Sequence, residues 1–335
     1  MPHFKLLPFF TLLFVLETSC HSSPLDERAM LLNTPAYKSI SDSIQQFPKD
    51  PELYIRRALL LSAQQLHKDA SPDFKKAYEL EPKSIYGLAY ISNLLDQQKN
   101  EEALPLLIEM QKKFPQENMF SRQLAQLYEN IGKKKAAEAI FNQLIQSDSN
   151  NAILWMEKGS LLLEHQDSLA GIACLEKAYQ LQADAVIGLK LASAYQNAMN
   201  PKVVGICDEL LQKFEVSWVM PDVAMLKGQY YSDKGNYKNA LQEFDRCIAF
   251  DWKFVDAHIE KGIVHFRMKN YQKALDIFRM ASRVSNANAD ARFWMGRCFE
   301  AQGKKEEAIV EYQQSLALDT SLNEATIRIK NLEHP

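Results

Sequence analysis

Apolar and small residues recur along this chain at intervals of three and four, and the whole set recurs every 34 residues. From Pro221, Val255 and Ala289 the sequence can be written as three lines of equal length. Glycine holds the eighth place of each line (Gly228, Gly262, Gly296) and alanine the twentieth (Ala240, Ala274, Ala308). An aromatic holds the twenty-fourth (Phe244, Phe278, Tyr312). Places 4, 7, 8 and 11 share one face of a helix, because the helix turns once in about 3.6 residues. Places 20, 24 and 27 do the same on a second helix. The pattern predicts two helices joined by a short turn. Small residues at 8 and 20 let the two backbones approach, and aromatics at 11 and 24 fill the space around that contact. A pair of this kind cannot bury its apolar face alone, so successive units must stack.

Carried in both directions, the phase gives eight units, at 51–83, 84–117, 118–151, 152–184, 185–220, 221–254, 255–288 and 289–322. Residues 28–50 read as a worn partial repeat, with Ala36, Ile40 and Ser43 at places 20, 24 and 27. Residues 323–335 read as a closing helix with a polar side, the end cap a stack needs. In the fifth unit the second helix falls out of phase after Asn200-Pro201. These residues resemble the tetratricopeptide repeat. The resemblance implies an all-α, right-handed α-solenoid of helix–turn–helix units. It also implies that places 2, 5, 6, 9, 12 and 13 line a concave groove that binds a protein or peptide segment.

On that face the third unit offers Arg122, Gln123, Gln126 and Asn130, and the fifth offers Lys190, Ser193 and Asn197. Amide and charged groups on rigid helices can pair with an extended backbone. The eighth unit offers Phe293 and Trp294 beside Arg297, the composition of interface hot spots. Some members of the family grip a terminal carboxylate with Lys at place 5 and Asn at place 9. Here place 5 holds residues such as Ile55, Leu88 and Phe293, and place 9 never holds Asn, so that clamp is absent. A different reading makes the chain a small-molecule or glycan-binding accessory lipoprotein, with Trp155, Trp294 and Phe293 as stacking platforms.

The first 19 residues carry Lys5, then the apolar run Leu6 to Leu16, then Ser19. The run is short for a membrane span and reads as a secretory signal. Cys20 directly after it resembles a bacterial lipoprotein signal, although Glu17 stands where that family usually has Leu. The resemblance implies lipidation of Cys20, with 20–27 as a tether similar to that of surface-exposed lipoproteins of Bacteroidota. It also implies export and anchoring to the outer membrane of a Gram-negative bacterium. Similar lipoproteins assist secretion, pilus or outer-membrane assembly.

Composition narrows the chemistry further. Net charge is −3, which gives no electrostatic footprint for nucleic acid. Seven of the 11 glycines fall at places 8 or 15, which leaves no cluster for a phosphate-cradling loop. No HExxH, CxxC or GxSxG occurs. The reading is therefore a scaffold with no catalytic residue, no metal and no cofactor. Cys174, Cys207, Cys247 and Cys298 read as small buried thiols.

Overall fold

The computed structural model describes residues 24–214, 218–285 and 288–334. The signal, Cys20 and the start of the tether lie outside the described residues. The elements of the described residues are all helices. Two short ones, α1 (Pro24–Leu32) and α2 (Pro35–Gln46), precede the repeats. Then come α3 (Pro51–Ala63), α4 (His67–Leu80), α5 (Ser84–Asp96), α6 (Asn100–Lys113), α7 (Asn118–Asn130) and α8 (Lys134–Ser147). The series continues with α9 (Ala152–Glu164), α10 (Ser168–Leu181), α11 (Ala185–Asn197), α12 (Lys202–Lys213), α13 (Met220–Asp233) and α14 (Tyr237–Phe250). It closes with α15 (Val255–Arg267), α16 (Tyr271–Val284), α17 (Ala289–Ala301), α18 (Lys305–Leu318) and α19 (Asn323–Glu333). The chain divides into two compact parts between Gly132 and Lys133, so that α1–α7 form one and α8–α19 the other. Within each part every helix packs on its neighbours in sequence. In the second part the first helices α11, α13, α15 and α17 also touch in succession. This is an all-α repeat solenoid.

The turn inside each unit has one fixed conformation. Place 15 has positive φ in all eight units, from 53° at Met199 to 75° at Gly132 and Gly303. Glycine reaches that region freely, whereas other residues are strained there. Gln65, Gln98, Gln166, Met199 and Lys269 therefore bear a cost that Gly132, Gly235 and Gly303 avoid. Side-chain caps fix the helix starts. Asp50, Asn151, Asp184 and Asn288 accept backbone N–H bonds at first helices, and Asp167 and Asn236 do so at second helices.

The core confirms the role of places 8 and 20 and adds two places. A Cβ placed on Gly228 would lie 2.6 Å from the ring of Phe244, and one on Gly296 would lie 2.7 Å from Tyr312. The aromatic at 24 lies directly over the glycine at 8. Places 3 and 10, absent from the sequence pattern, are buried too. Ala257 and Val264 join Met225, Ala240, Phe244 and Cys247 in one cluster. Ala291 and Cys298 join Ile259, Ile263, Ala274 and Phe278 in the next. Each cluster thus joins one unit's second helix to places 3 and 10 of the following unit. In α3, where only the short α1 and α2 come before, Leu60 at place 10 is exposed.

Two expectations are corrected, at α2 and at place 7, and the second helix of the fifth unit is out of phase as read. In α2 the buried residues are Tyr37, Ser41 and Ile44, one step later than Ala36, Ile40 and Ser43. Tyr37, Ser41 and Ile44 stand 33 residues before Ala70, Phe74 and Ala77 of α4, one fewer than the period. The second helix of the fifth unit does pack: Val203, Cys207 and Leu210 are buried with the same spacing of four and three, one residue early. Place 7 is ionic in several units. Arg57 at place 7 is buried and grips Asp73 with two bonds of 2.6 and 2.7 Å, while donating to Ser41 of α2. Lys227 at place 7 lies 2.6 Å from Asp208 and 2.7 Å from Glu243. Burial alone would lower the Lys227 ammonium, but its bonds to the two carboxylates outweigh that and hold it above the usual lysine range.

The closing helix packs against the last unit. Ala325 of α19, at place 3 of what would be a ninth unit, is fully buried against Phe293, Ala308 and Tyr312. Arg328 binds Glu300 of α17 at 3.0 Å and ties the cap down.

Candidate binding face of the first helices

In the first part, α7 carries Arg122, Gln123, Gln126 and Asn130 at spacings of one, three and four, which places them along one side of the helix. Gln126 and Asn130 are exposed, and Arg122 and Gln123 are half-buried. The Gln123 Oε1 is buried without a hydrogen-bond partner among the described residues. A buried amide oxygen without a donor carries a desolvation cost.

In the second part, α11 presents Lys190, Ser193 and Asn197 along one side, with Lys190 and Asn197 exposed. Asp184 caps this helix with bonds to the N–H groups of Val186 and Ile187. Ala192 and Tyr195, buried on its other side, fix its rotation. The three polar groups are therefore held outward by packing rather than by bonds of their own.

Further along, Trp294 of α17 sits at the centre of an aromatic cluster. Its ring stacks on Phe278 at 6.1 Å and meets Phe266 edge-on at 5.4 Å. The Arg297 guanidinium carbon lies 5.5 Å from Trp294 and 5.4 Å from Phe266, and Arg297 pairs with Glu324 of α19 at 3.3 Å. Phe266, Trp294 and Arg297 are half-buried and reach the surface. Phe293 does not: it is 7% exposed and packs on Tyr312 with ring centres 5.6 Å apart. Place 5 faces place 3 of the next unit, here Ala325, and so belongs to the core. The same geometry buries Ile259 and Ile263. Trp155 is also committed elsewhere, because its indole N–H donates to the Ser149 carbonyl at 2.9 Å.

Glu260, at place 6 of α15, escaped the sequence reading. Burial pushes its carboxyl up, the charges of Asp233 and Asp256 push the same way, and Arg267 opposes them. The signal was available, since place 6 also carries Lys190 and Trp294. The face thus changes character along the second part, from a cation on α11 through a carboxylate on α15 to an aromatic–guanidinium cluster on α17.

Nothing in these groups forms a catalytic set. Among the described residues no group of His, Cys, Asp and Glu could hold a metal ion. The four described cysteines are free and buried. Burial pushes the thiols of Cys207, Cys247 and Cys298 up to about 12, so they stay protonated. The arrangement can bind through hydrogen bonds, charge and ring contact. No helix among the described residues is long and apolar enough to cross a membrane.

Paired helices, a left-handed residue at each turn and cores shared between neighbours define a helical-repeat protein of the kind that serves as a protein-interaction scaffold. The chain belongs to the tetratricopeptide-repeat family. Residues 51–84 and 91–152 match tetratricopeptide repeat models, and 233–315 match the model of anaphase-promoting complex, cyclosome, subunit 3. Among curated relatives, Protein SGT1 homolog of Bos taurus is 30% identical over 107 residues, which is 30% of this chain and 32% of that protein. The chain spans about a third of the length of the curated relatives it matches. The solved structure of PilW, a widely conserved type IV pilus biogenesis factor, is similar with a TM-score of 0.53 at 16% identity, over 64% of this chain and 97% of that one. The APC/C hetero-tetramer Cut9-Hcn1 is similar with a TM-score of 0.50 at 15% identity, over 87% of this chain and 57% of that one.

Proposed function

We propose that this chain is a non-catalytic scaffold of the bacterial cell envelope that holds an extended partner segment on its first-helix face. Export and lipidation at Cys20 would fix it to the outer membrane. The observation that carries the binding role is the set on α11: Lys190, Ser193 and Asn197 share one side of a packed helix and bond to no other described side chain. A packed helix fixes the spacing of these groups in advance, so no backbone has to be ordered on this side when a partner engages them. The small-molecule or glycan reading is weaker, because Phe293 is core and the Trp155 indole is bonded to its own turn.

Site-specific photocrosslinking in cells tests the binding role. A crosslinker at Lys190 or Asn197 should capture one protein, and a crosslinker at Lys177, exposed on the second helix α10, should not. Equal capture from both positions would remove the first-helix face as the binding surface. Cys20→Ala should move the protein from the membrane to the soluble fraction, and unchanged fractionation would sink the anchoring claim.

A further inference from the structure

The second helices carry a feature that the first-helix face does not use. A cleft of about 300 Å³ opens between α16, α17 and α18, lined by Arg279, Ser282, Arg283, Arg292, Met295 and Glu311. Arg279, Ser282 and Arg283 share one side of α16, at spacings of three and four. Arg292 and Met295, three apart on α17, face them, and buried Met295 forms part of the wall. Arg292 and Trp294 are two residues apart, so they point to opposite sides of α17. The cleft is therefore separate from the aromatic cluster.

The charges in the cleft do not balance. Three guanidinium groups meet one carboxylate, Glu311, which accepts from Arg292 at 3.1 Å. Arg279 pairs with Asp276 at 3.1 Å, but both are about half exposed, and such surface pairs hold weakly. Arg283 forms no ion pair with any described residue. The Ser282 Oγ, also on this wall, is buried with no hydrogen-bond partner among the described residues. A buried hydroxyl left unpaired is costly, and native folds seldom keep one without a use. Apart from Glu311, every polar group on the wall can donate a proton. The ligand that matches is an acceptor-only anion.

We infer that this cleft binds a tetrahedral oxyanion, a phosphate group either free or carried as a monoester. A guanidinium fork suits the spacing of phosphate oxygens, and donors from α16 and α17 would reach such a group from two directions. A planar carboxylate would need only one fork and would leave Ser282 and the second arginine unused. Glu311 orients Arg292 and also weakens the site, because its charge opposes the ligand.

Thermal unfolding of the full chain in inorganic phosphate, against sodium chloride of equal ionic strength, tests this. Wild type should gain melting temperature saturably in phosphate alone. Arg283→Gln lies on an exposed position and should fold normally, but should bind about tenfold more weakly. Glu311→Gln should bind more tightly than wild type. O-phosphoserine separates the two sources: tighter binding than inorganic phosphate marks an ester, and equal binding marks the free ion. A shift that chloride reproduces, or one that survives Arg283→Gln unchanged, overturns the site. So does the lack of any saturable shift.

Discussion

At the scale of single residues, the fold rests on a glycine under a ring. Gly228 has no room for a methyl group beneath Phe244. Gly228→Ala should cost about 1–3 kcal/mol, read as a lower urea midpoint with an unchanged slope. Phe244→Leu in the same chain should recover part of that loss, because it opens the space. If Gly228→Ala alone is neutral, the two helices are not held at this distance. This pair was legible in the sequence, since places 8 and 24 keep their identity from line to line. Phe293 was misread for the opposite reason. A single exposed-looking aromatic next to Trp294 gives no sign that place 5 is covered by the following unit, and only the stacking shows it.

At the scale of helices, the sequence yielded the spacing within an element but not what lies against it. Places 3 and 10 pack on the preceding unit, so a pattern sought within one unit passes over them. The helices α2 and α12 keep the right spacing with an offset of one residue, which a fixed period of 34 cannot follow. Arg57 and Lys227 stand at place 7 among packing positions, and their partners come from other helices. On the candidate face, the outward side of α11 was legible, whereas the half-buried Glu260 depended on knowing its neighbours.

His265 shows what such neighbours do. It is 3% exposed on α15, and its Nδ1 has no hydrogen-bond partner among the described residues. Burial lowers its pKa first, Lys273 of α16 and Lys261 of α15 lower it further, and Asp245 of α14 opposes them. The folded chain therefore keeps this ring neutral at pH values where the unfolded chain protonates it. The stability it carries is present above about pH 6.5 and is lost as pH falls below that value. Between pH 7.5 and 5.5, wild type should lose more melting temperature than His265→Leu. Equal losses would show that the ring is solvated.

At the scale of the whole molecule, cores shared between units make stability a property of neighbours rather than of single repeats. Ala274 is fully buried where one unit's second helix meets the next unit's first. Ala274→Asp places a charge there at a cost of several kcal/mol. The lost helix signal in circular dichroism should exceed what residues 255–288 alone supply. A loss confined to that segment would mean that the units fold one by one.

The last helix has a consequence of its own. Because α19 sits in register as the opening half of a further unit, the surface it covers matches the one that the two units before it offer their successors. A copied hairpin of one full period spliced in after Leu322 would meet a seat already shaped for it and would present that seat again to α19. The length of this molecule is thus a count that duplication or deletion can change by whole steps, leaving each joint as it was.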